Sequence, residues 1–256
     1  MIKAVFFDID GTLVSFKTHR VPDSTLDVLA QLRSRGIKVF IATGRHELLI
    51  DNVDTGLFDG IVSLNGQCVR AGGEIIHVHA MPEEDARAAE KFALESGVSV
   101  IFEGTDFLRM NVATDTTRRG AELINLGLPP EEDVTGVSAE KILQLIVFTD
   151  EDRERELLVG MPSCESTRWT HLLCDVIPKG GGKHIGIGKM LDRYGIGREE
   201  CMALGDGEND ITMLRYAGIG VAMGNAADEV KAASDYVTGT ADEDGVAAAM
   251  RRFGIL

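Results

Sequence analysis

The feature that most constrains this chain lies at residues 3–8, Lys-Ala-Val-Phe-Phe-Asp, an almost unbroken apolar run that ends on an acid. A strand that is apolar on both faces needs cover on both sides, which a parallel sheet flanked by helices provides. The residues that follow agree with that reading. Over 22–35, Leu26, Leu29, Ala30 and Arg33 recur at helical spacing, and Gly36 stands where a helix would stop. A second apolar run at 37–42 closes on Thr43-Gly44-Arg45, and a third at 60–64 closes on Asn65-Gly66. Strand, helix, strand predicts an α/β class: a doubly wound, mostly parallel sheet with a Rossmann-like core.

The C-terminal third repeats the pattern. Ile187, Met190, Leu191 and Tyr194 predict a helix over 184–194, ended by Gly195. Strands are expected at 201–205, 219–223 and 235–238, with helices at 210–217 and 226–233 and a last helix carrying Val246, Met250 and Phe253. The middle differs. Charged helical stretches at 83–96, 116–126, 139–144 and 151–159 alternate with apolar runs at 98–103 and 144–149. The expectation is a core formed by 1–81 and 178–256, with an α+β cap domain inserted at 82–177. Its 256 residues suffice for that division, and 44% apolar residues suffice for two cores.

Lys and Arg total 26 against 41 Asp and Glu, a net charge of −15. Such a field repels nucleic acid and anionic membrane surfaces, so neither is an expected partner. A small anion can bind only where a metal or clustered cations reverse the potential. Cys68, Cys164, Cys174 and Cys201 lack the spacing of a zinc site and read as reduced, buried thiols. The N-terminal apolar run is too short for a membrane span and meets acids at once, so the expected location is the cytoplasm. A monomer or small homo-oligomer is compatible with all of this.

In open α/β sheets, ligands bind beyond the carboxyl ends of the strands. Four polar clusters fall there or just before a helix: Asp8-Ile9-Asp10-Gly11-Thr12, Thr43-Gly44-Arg45, Lys179-Gly180-Gly181-Gly182-Lys183, and Asp206-Gly207-Glu208-Asn209-Asp210. Each alone could be an ordinary turn; together they define a site. Asp8 and Asp206, from separate strands, offer hard oxygen ligands suited to Mg²⁺, which would also relieve their mutual repulsion. Asp8 is a candidate covalent nucleophile and Asp10, two residues on along the same strand, a candidate acid/base. Main-chain N–H groups of the 9–12 turn could cradle phosphate oxygens, Thr43 could donate its hydroxyl, and Lys183 could supply fixed positive charge.

These motifs resemble those of the haloacid dehalogenase superfamily. Phe7-Asp8-Ile9-Asp10-Gly11-Thr12-Leu13 is similar to its first motif, Ala42-Thr43-Gly44-Arg45 to its second, the 179–183 loop to its third, and 205–214 to its fourth. An insertion between the second and third resembles the Cof-type branch, type IIB with a C2 cap, whose members mostly hydrolyse sugar phosphates. The resemblance implies a small phosphorylated metabolite as substrate and Mg²⁺ as cofactor. It makes Asp8 nucleophile and metal ligand, Asp10 acid/base with its main-chain carbonyl on the metal, and Asp206 the other ligating carboxylate. Ile9, Thr43, Gly44, Lys183 and Asn209 become phosphate-binding residues, with Asp210 a supporting acid. Lys179 competes with Lys183 for the third-motif role, although a place just before the helix favours Lys183. No role follows for Glu208. A phosphomutase or phosphotransferase acting on sugar phosphates is the alternative, and a receiver-like phosphoaspartate module a more distant one that Asp10 argues against.

Other signals carry less. The 179–184 loop is not a nucleotide P-loop, because His184 follows its lysine, and the glycines at 218–224 do not complete a dinucleotide fingerprint. His77 and His79 read as surface residues for want of a third ligand. Trp169, Arg168 and His171 are candidates for lining a substrate cleft.

Overall fold

A computed structural model describes residues 1–256. Two compact units emerge from it, Met1–His77 with Gly182–Leu256, and Val78–Gly181. In the first, β1 (Ala4–Phe7), α1 (Asp23–Ser34), β2 (Lys38–Ala42) and β3 (Gly60–Ser63) lead to β4 (Cys68–Ala71) and β5 (Glu74–Val78). The second unit holds α2 (Glu83–Ser96), β6 (Ser99–Glu103), β7 (Leu108–Met110), α3 (Asp115–Leu123), β8 (Gln144–Phe148), α4 (Glu151–Val159), β9 (Cys164–Thr170) and β10 (Leu173–Pro178). The chain then returns through α5 (Lys183–Tyr194), β11 (Cys201–Gly205), α6 (Ile211–Tyr216), β12 (Ile219–Ala222), α7 (Asp228–Ala232), β13 (Tyr236–Val237) and α8 (Gly245–Arg252).

The large sheet runs β13-β12-β11-β1-β2-β3-β4-β5, so the N-terminal strand lies between strands from both ends of the chain. From β13 to β3 every pairing is parallel, and β4 turns back antiparallel on β3. Alternation along β1 sends Val5 and Phe7 into the core under α1 and α8, and Ala4 and Phe6 into the core under α5 and α6. Both faces are therefore dry, as the apolar run required. Helix α1 forms where expected but buries Thr25, Val28, Leu29 and Leu32, while Leu26 is 40% exposed. The expected apolar face was rotated by about one residue: Thr25 and Val28 are buried where Ala30 and Arg33 are exposed.

The second unit is a five-stranded antiparallel sheet, β7-β6-β8-β10-β9. One face packs Val100, Phe102, Leu145, Val147 and Val176 beneath α2 and α4; the other packs Ile101, Ile146, Phe148 and Leu173 beneath α3. The helix expected at 139–144 does not form. Only Ala139 is helical, as the last residue of a 3-10 turn at Val137–Ala139; residues 140–143 belong to no element, and Gln144 opens β8, whose apolar Leu145–Phe148 run is buried in the sheet. Strands β4, β7, β9 and β10 were not legible in the sequence. The last two carry polar residues such as Arg168 and Asp175, which are paired: Arg168 with Glu154, and Asp175 with the Trp169 Nε1 at 2.8 Å. No helix is long and apolar enough to cross a membrane.

Candidate active site

Strands β1 and β11 are parallel neighbours in register, Phe7 opposite Leu204, and end at the same level. Asp8 follows one and Asp206 the other, so the chain meets two acids where two adjacent strands stop. Asp8 stays attached to the sheet through its N–H, which donates to the Leu204 carbonyl at 3.0 Å. The first residue of α5 is Lys183, fully buried, and its Nζ lies 2.7 Å from Asp8 Oδ1 and 2.6 Å from Asp210 Oδ1. The other oxygen of Asp210 accepts the N–H groups of Asp206 and Gly207, each at 2.9 Å. Asp210 thus anchors the loop after β11 and holds Lys183. Carboxylate oxygens of Asp8, Asp206 and Asp210 all lie within 4.8 Å of one another.

The electrostatics show what this arrangement lacks. Burial pushes the Asp8 carboxyl up to about 7; Lys183 opposes the rise, and Asp210 and Asp10 reinforce it. Burial likewise pushes Asp206 up to about 8, with Asp8 and Asp210 adding to the effect. Burial alone would lower Lys183, but Asp210 and Asp8 outweigh it and hold the ammonium charged. One lysine among three acids leaves negative charge in excess. The ligand atoms that Asp8, Asp206 and Asp210 bring together are all carboxylate oxygens, a set that suits a hard divalent cation.

Asp8 and Asp10 do not share a strand as expected: both lie beyond the end of β1. The sheet pairing ends at Phe7, and Asp10 sits in a tight loop bridged to Val14. Its carboxylate is gripped by Arg45 in bidentate fashion, Nε to Oδ2 at 2.8 Å and Nη2 to Oδ1 at 2.6 Å. Arg45 is itself buried and donates from Nη1 to the Leu49 carbonyl at 3.0 Å. Within the same loop, Gly11 and Thr12 spend their N–H groups on Val14 and Ile9 carbonyls. An anion cradle there would draw on Ile9 and Asp10, half the donors expected from sequence. Gly11 has φ +80°, and a Cβ on it would fall 2.3 Å from Asp206 Oδ2 and 2.4 Å from the Phe16 ring. Only glycine fits between that ring and that carboxylate.

Thr43, 1% exposed, accepts the Arg45 N–H on Oγ1 at 3.0 Å, and Gly44 lies between them. Asn209 donates to Asn65 Oδ1 at 2.8 Å. Asn65 holds a left-handed conformation, φ +52°, and the Gly66 beside it abuts Gly182, where an added Cβ would come within 2.2 Å of the carbonyl oxygen. These contacts tie the loops after β3 and before α5 to the loop after β11. Lys179 points elsewhere, its Nζ on the Pro162 carbonyl, and Glu208 is exposed. In the second unit His171 is exposed and Trp169 packs against the α3-side core. His77 and His79 are half-buried rather than at the surface, and each has a polar or ring partner.

A family model for haloacid dehalogenase-like hydrolases matches residues 5–250. The chain belongs to that family. It is 36% identical over 256 residues, 99% of this chain and 98% of the other, to YkrA of Bacillus subtilis (strain 168), which is named provisionally as a phosphatase. The structure of BT4131, described as a subclass IIB sugar phosphatase of the superfamily, matches with a TM-score of 0.92 and 41% identity, covering 99% of this chain and 100% of that one. BT1666 of Bacteroides thetaiotaomicron, described among phosphatases of the same superfamily, matches with a TM-score of 0.90 and 36% identity over 100% of this chain and 96% of that one. This haloacid dehalogenase-like chain is accordingly a phosphatase, with the fold of subclass IIB.

Sequence reasoning gave no role to three polar residues of this haloacid dehalogenase-like site. Arg45 grips Asp10, as described. Thr12 donates from Oγ1 to Asp206 Oδ1 at 3.1 Å, and Asn225 donates from Nδ2 to Asp206 Oδ2 at 2.7 Å. Arg45 and Thr12 lie inside recognised motifs, so a search there for donors facing acids could have found them. Asn225 lies in the loop after β12, which carried no signal.

Proposed function

We propose that this phosphatase hydrolyses small phosphate monoesters, hexose or pentose phosphates above all, with Mg²⁺ and through an aspartyl-phosphate on Asp8. One observation carries the reading: Asp8 and Asp206 converge at adjacent strand ends with more negative charge than Lys183 can balance. Mg²⁺ held by Asp8, the Asp10 main-chain carbonyl and Asp206 would supply the missing charge and polarise the phosphoryl oxygens. Thr43, Gly44, Lys183, Asn209 and the Ile9 N–H hold the phosphoryl group, and Asp210 keeps Lys183 in place.

In the first half-reaction a carboxylate oxygen of Asp8 attacks phosphorus and the bond to the sugar oxygen breaks. Asp10 gives its proton to that oxygen, so the sugar leaves as an alcohol. Water then attacks the phosphorus of the aspartyl-phosphate and passes a proton to Asp10. Orthophosphate leaves and Asp8 is a carboxylate again. Lys183 balances charge throughout, since its own charge does not change. The sugar preference is supported by the description of BT4131 as a sugar phosphatase. The YwtE relative, 28% identical over 280 residues, is named for a phosphoribityl substrate, also a phosphorylated polyol chain.

The test is phosphate release from a panel of hexose and pentose phosphates, with and without Mg²⁺, by the parent and by Asp8→Asn. Expected is Mg²⁺-dependent release that Asp8→Asn abolishes, with an acid-stable phosphoenzyme trapped from the parent alone. Undiminished turnover in Asp8→Asn defeats the mechanism, and an isomeric sugar phosphate without free phosphate defeats the hydrolytic assignment.

A further inference from the structure

The loop after β12 has no part in the scheme above, yet it reaches the centre of the site. Its backbone is pinned: Met223 N–H to the Gly205 carbonyl at 3.0 Å, Gly224 N–H to Gly239 at 3.0 Å, and Ala226 N–H to Met223 at 3.1 Å. Met223 and Ala226 are buried on either side. Asn225 between them is exposed, so packing does not fix its side chain. It is fixed instead by the 2.7 Å bond from Nδ2 to Asp206 Oδ2, opposite the 3.1 Å bond from Thr12 Oγ1 to Oδ1. Each oxygen of Asp206 therefore accepts one bond from a neutral donor. A carboxylate oxygen has a second lone pair, so both remain able to ligate.

We infer that Asn225 is a positioning residue for the divalent cation: with Thr12 it locks the Asp206 carboxylate in the orientation that binds metal, without cancelling its charge. This rests on the proposed Mg²⁺ site. The residue type argues for it. An amide is a donor with no net charge, so Asp206 is oriented and keeps its full charge for the cation. A lysine at 225 would hold the carboxylate equally well but take the cation's place. An aspartate could donate nothing and would repel. Outer partners of metal-ligating side chains characteristically set affinity by about 10–100-fold. Asn225 itself is exposed and belongs to no core cluster, so its substitution leaves the core packing intact.

The test is calorimetric titration of Mg²⁺ into the EDTA-stripped full chain, with no substrate present. Asn225→Ala is expected to weaken Mg²⁺ binding about 10-fold, and Asn225→Lys to weaken it further. At saturating Mg²⁺, turnover of a good phosphate ester by Asn225→Ala is expected to return to within about threefold of the parent, as a positioning role requires. Asn225→Ala binding within twofold of the parent overturns the inference, as does Asn225→Lys binding at least as tightly as Asn225→Ala. Asp206→Asn separates this from the parent proposal. If Asp206→Asn loses Mg²⁺ binding and Asn225→Ala does not, only the role of Asn225 fails. If Asp206→Asn binds normally, the metal site itself is wrong.

Discussion

Replacing Lys183 by Met tests the electrostatic account of the site most directly. The ammonium is fully buried and shared between Asp8 Oδ1 at 2.7 Å and Asp210 Oδ1 at 2.6 Å. Methionine keeps most of the volume and removes the charge, so packing changes little and two buried carboxylates lose their only buried cation. Breaking a buried pair by removing one partner costs about 3–5 kcal/mol. Against a whole-domain stability of roughly 5–15 kcal/mol that is a large fraction. The cost depends on pH with a definite sign. Burial already raises Asp8 to about 7 from its ordinary value of 3.8, and removing Lys183 raises it further. A carboxyl whose folded-state pKa is raised is least costly below its unfolded value, and stability is lost as pH rises through the folded one. Urea denaturation in EDTA should therefore find Lys183→Met destabilised by several kcal/mol at pH 8 and by much less at pH 5. Adding Asp210→Asn should recover part of the loss at pH 8, because one carboxylate is gone. A penalty below about 1 kcal/mol at pH 8, or one equal at both pH values, would refute the claim that Lys183 balances buried charge.

The same reasoning covers the parent without metal. The folded state holds protons on Asp8 and Asp206 that the unfolded chain releases near 3.8, so stability in EDTA should fall from pH 5 to 8, while Mg²⁺ should stabilise progressively more over that span, as read by thermal midpoints. Stabilisation by Mg²⁺ that is constant with pH contradicts this. Gly11→Ala should abolish turnover and lower stability by more than 1 kcal/mol, since φ +80° and the crowding by Asp206 both oppose a side chain; denaturation and phosphate release check it. Arg45→Gln should slow sugar phosphates more than aryl phosphates, because a good leaving group has little need of the proton that Asp10 supplies. Comparing kcat/KM across leaving groups decides it, equal losses counting against a role through Asp10.

Legibility followed burial. Strands β1, β2, β3, β11 and β12 were readable because they are covered on both faces and must be apolar throughout. In the second unit, β9 and β10 carry Arg168 and Asp175 among their residues, and polar residues in a strand mask its periodicity until their partners are known. Helix α1 was found and its buried face misassigned, because the polar Thr25 is buried while the apolar Ala30 and Leu26 face outward, the reverse of what polarity alone suggests. The acids and Lys183 were visible as motifs. The Arg45 grip was not, because it depends on a loop closing 35 positions from Asp10, and neither was Asn225, 19 positions from Asp206. A lone polar residue in a loop has no period to reveal it.

The charges of the site close on a further point. Asp8, Asp10, Asp206 and Asp210 contribute four negative charges when ionised, and Lys183 and Arg45 return two positive. The remainder is −2, in a chain whose net charge is −15. A phosphate dianion has no electrostatic reason to enter such a site. Burial raises the Asp8 and Asp206 carboxyls, so without metal both favour the protonated form more than a free carboxyl does, and under the proposed function a protonated Asp8 would be the weaker nucleophile. Under the proposed function, Asp8 and Asp206 would hold one divalent cation, which would bring the sum to zero and favour the ionised form of both carboxyls. Neither Arg45 nor Lys183 could do this in its place, because each already has carboxylate partners to neutralise. Under the proposed function, then, the requirement for metal follows from how fully this chain has paired its own cations.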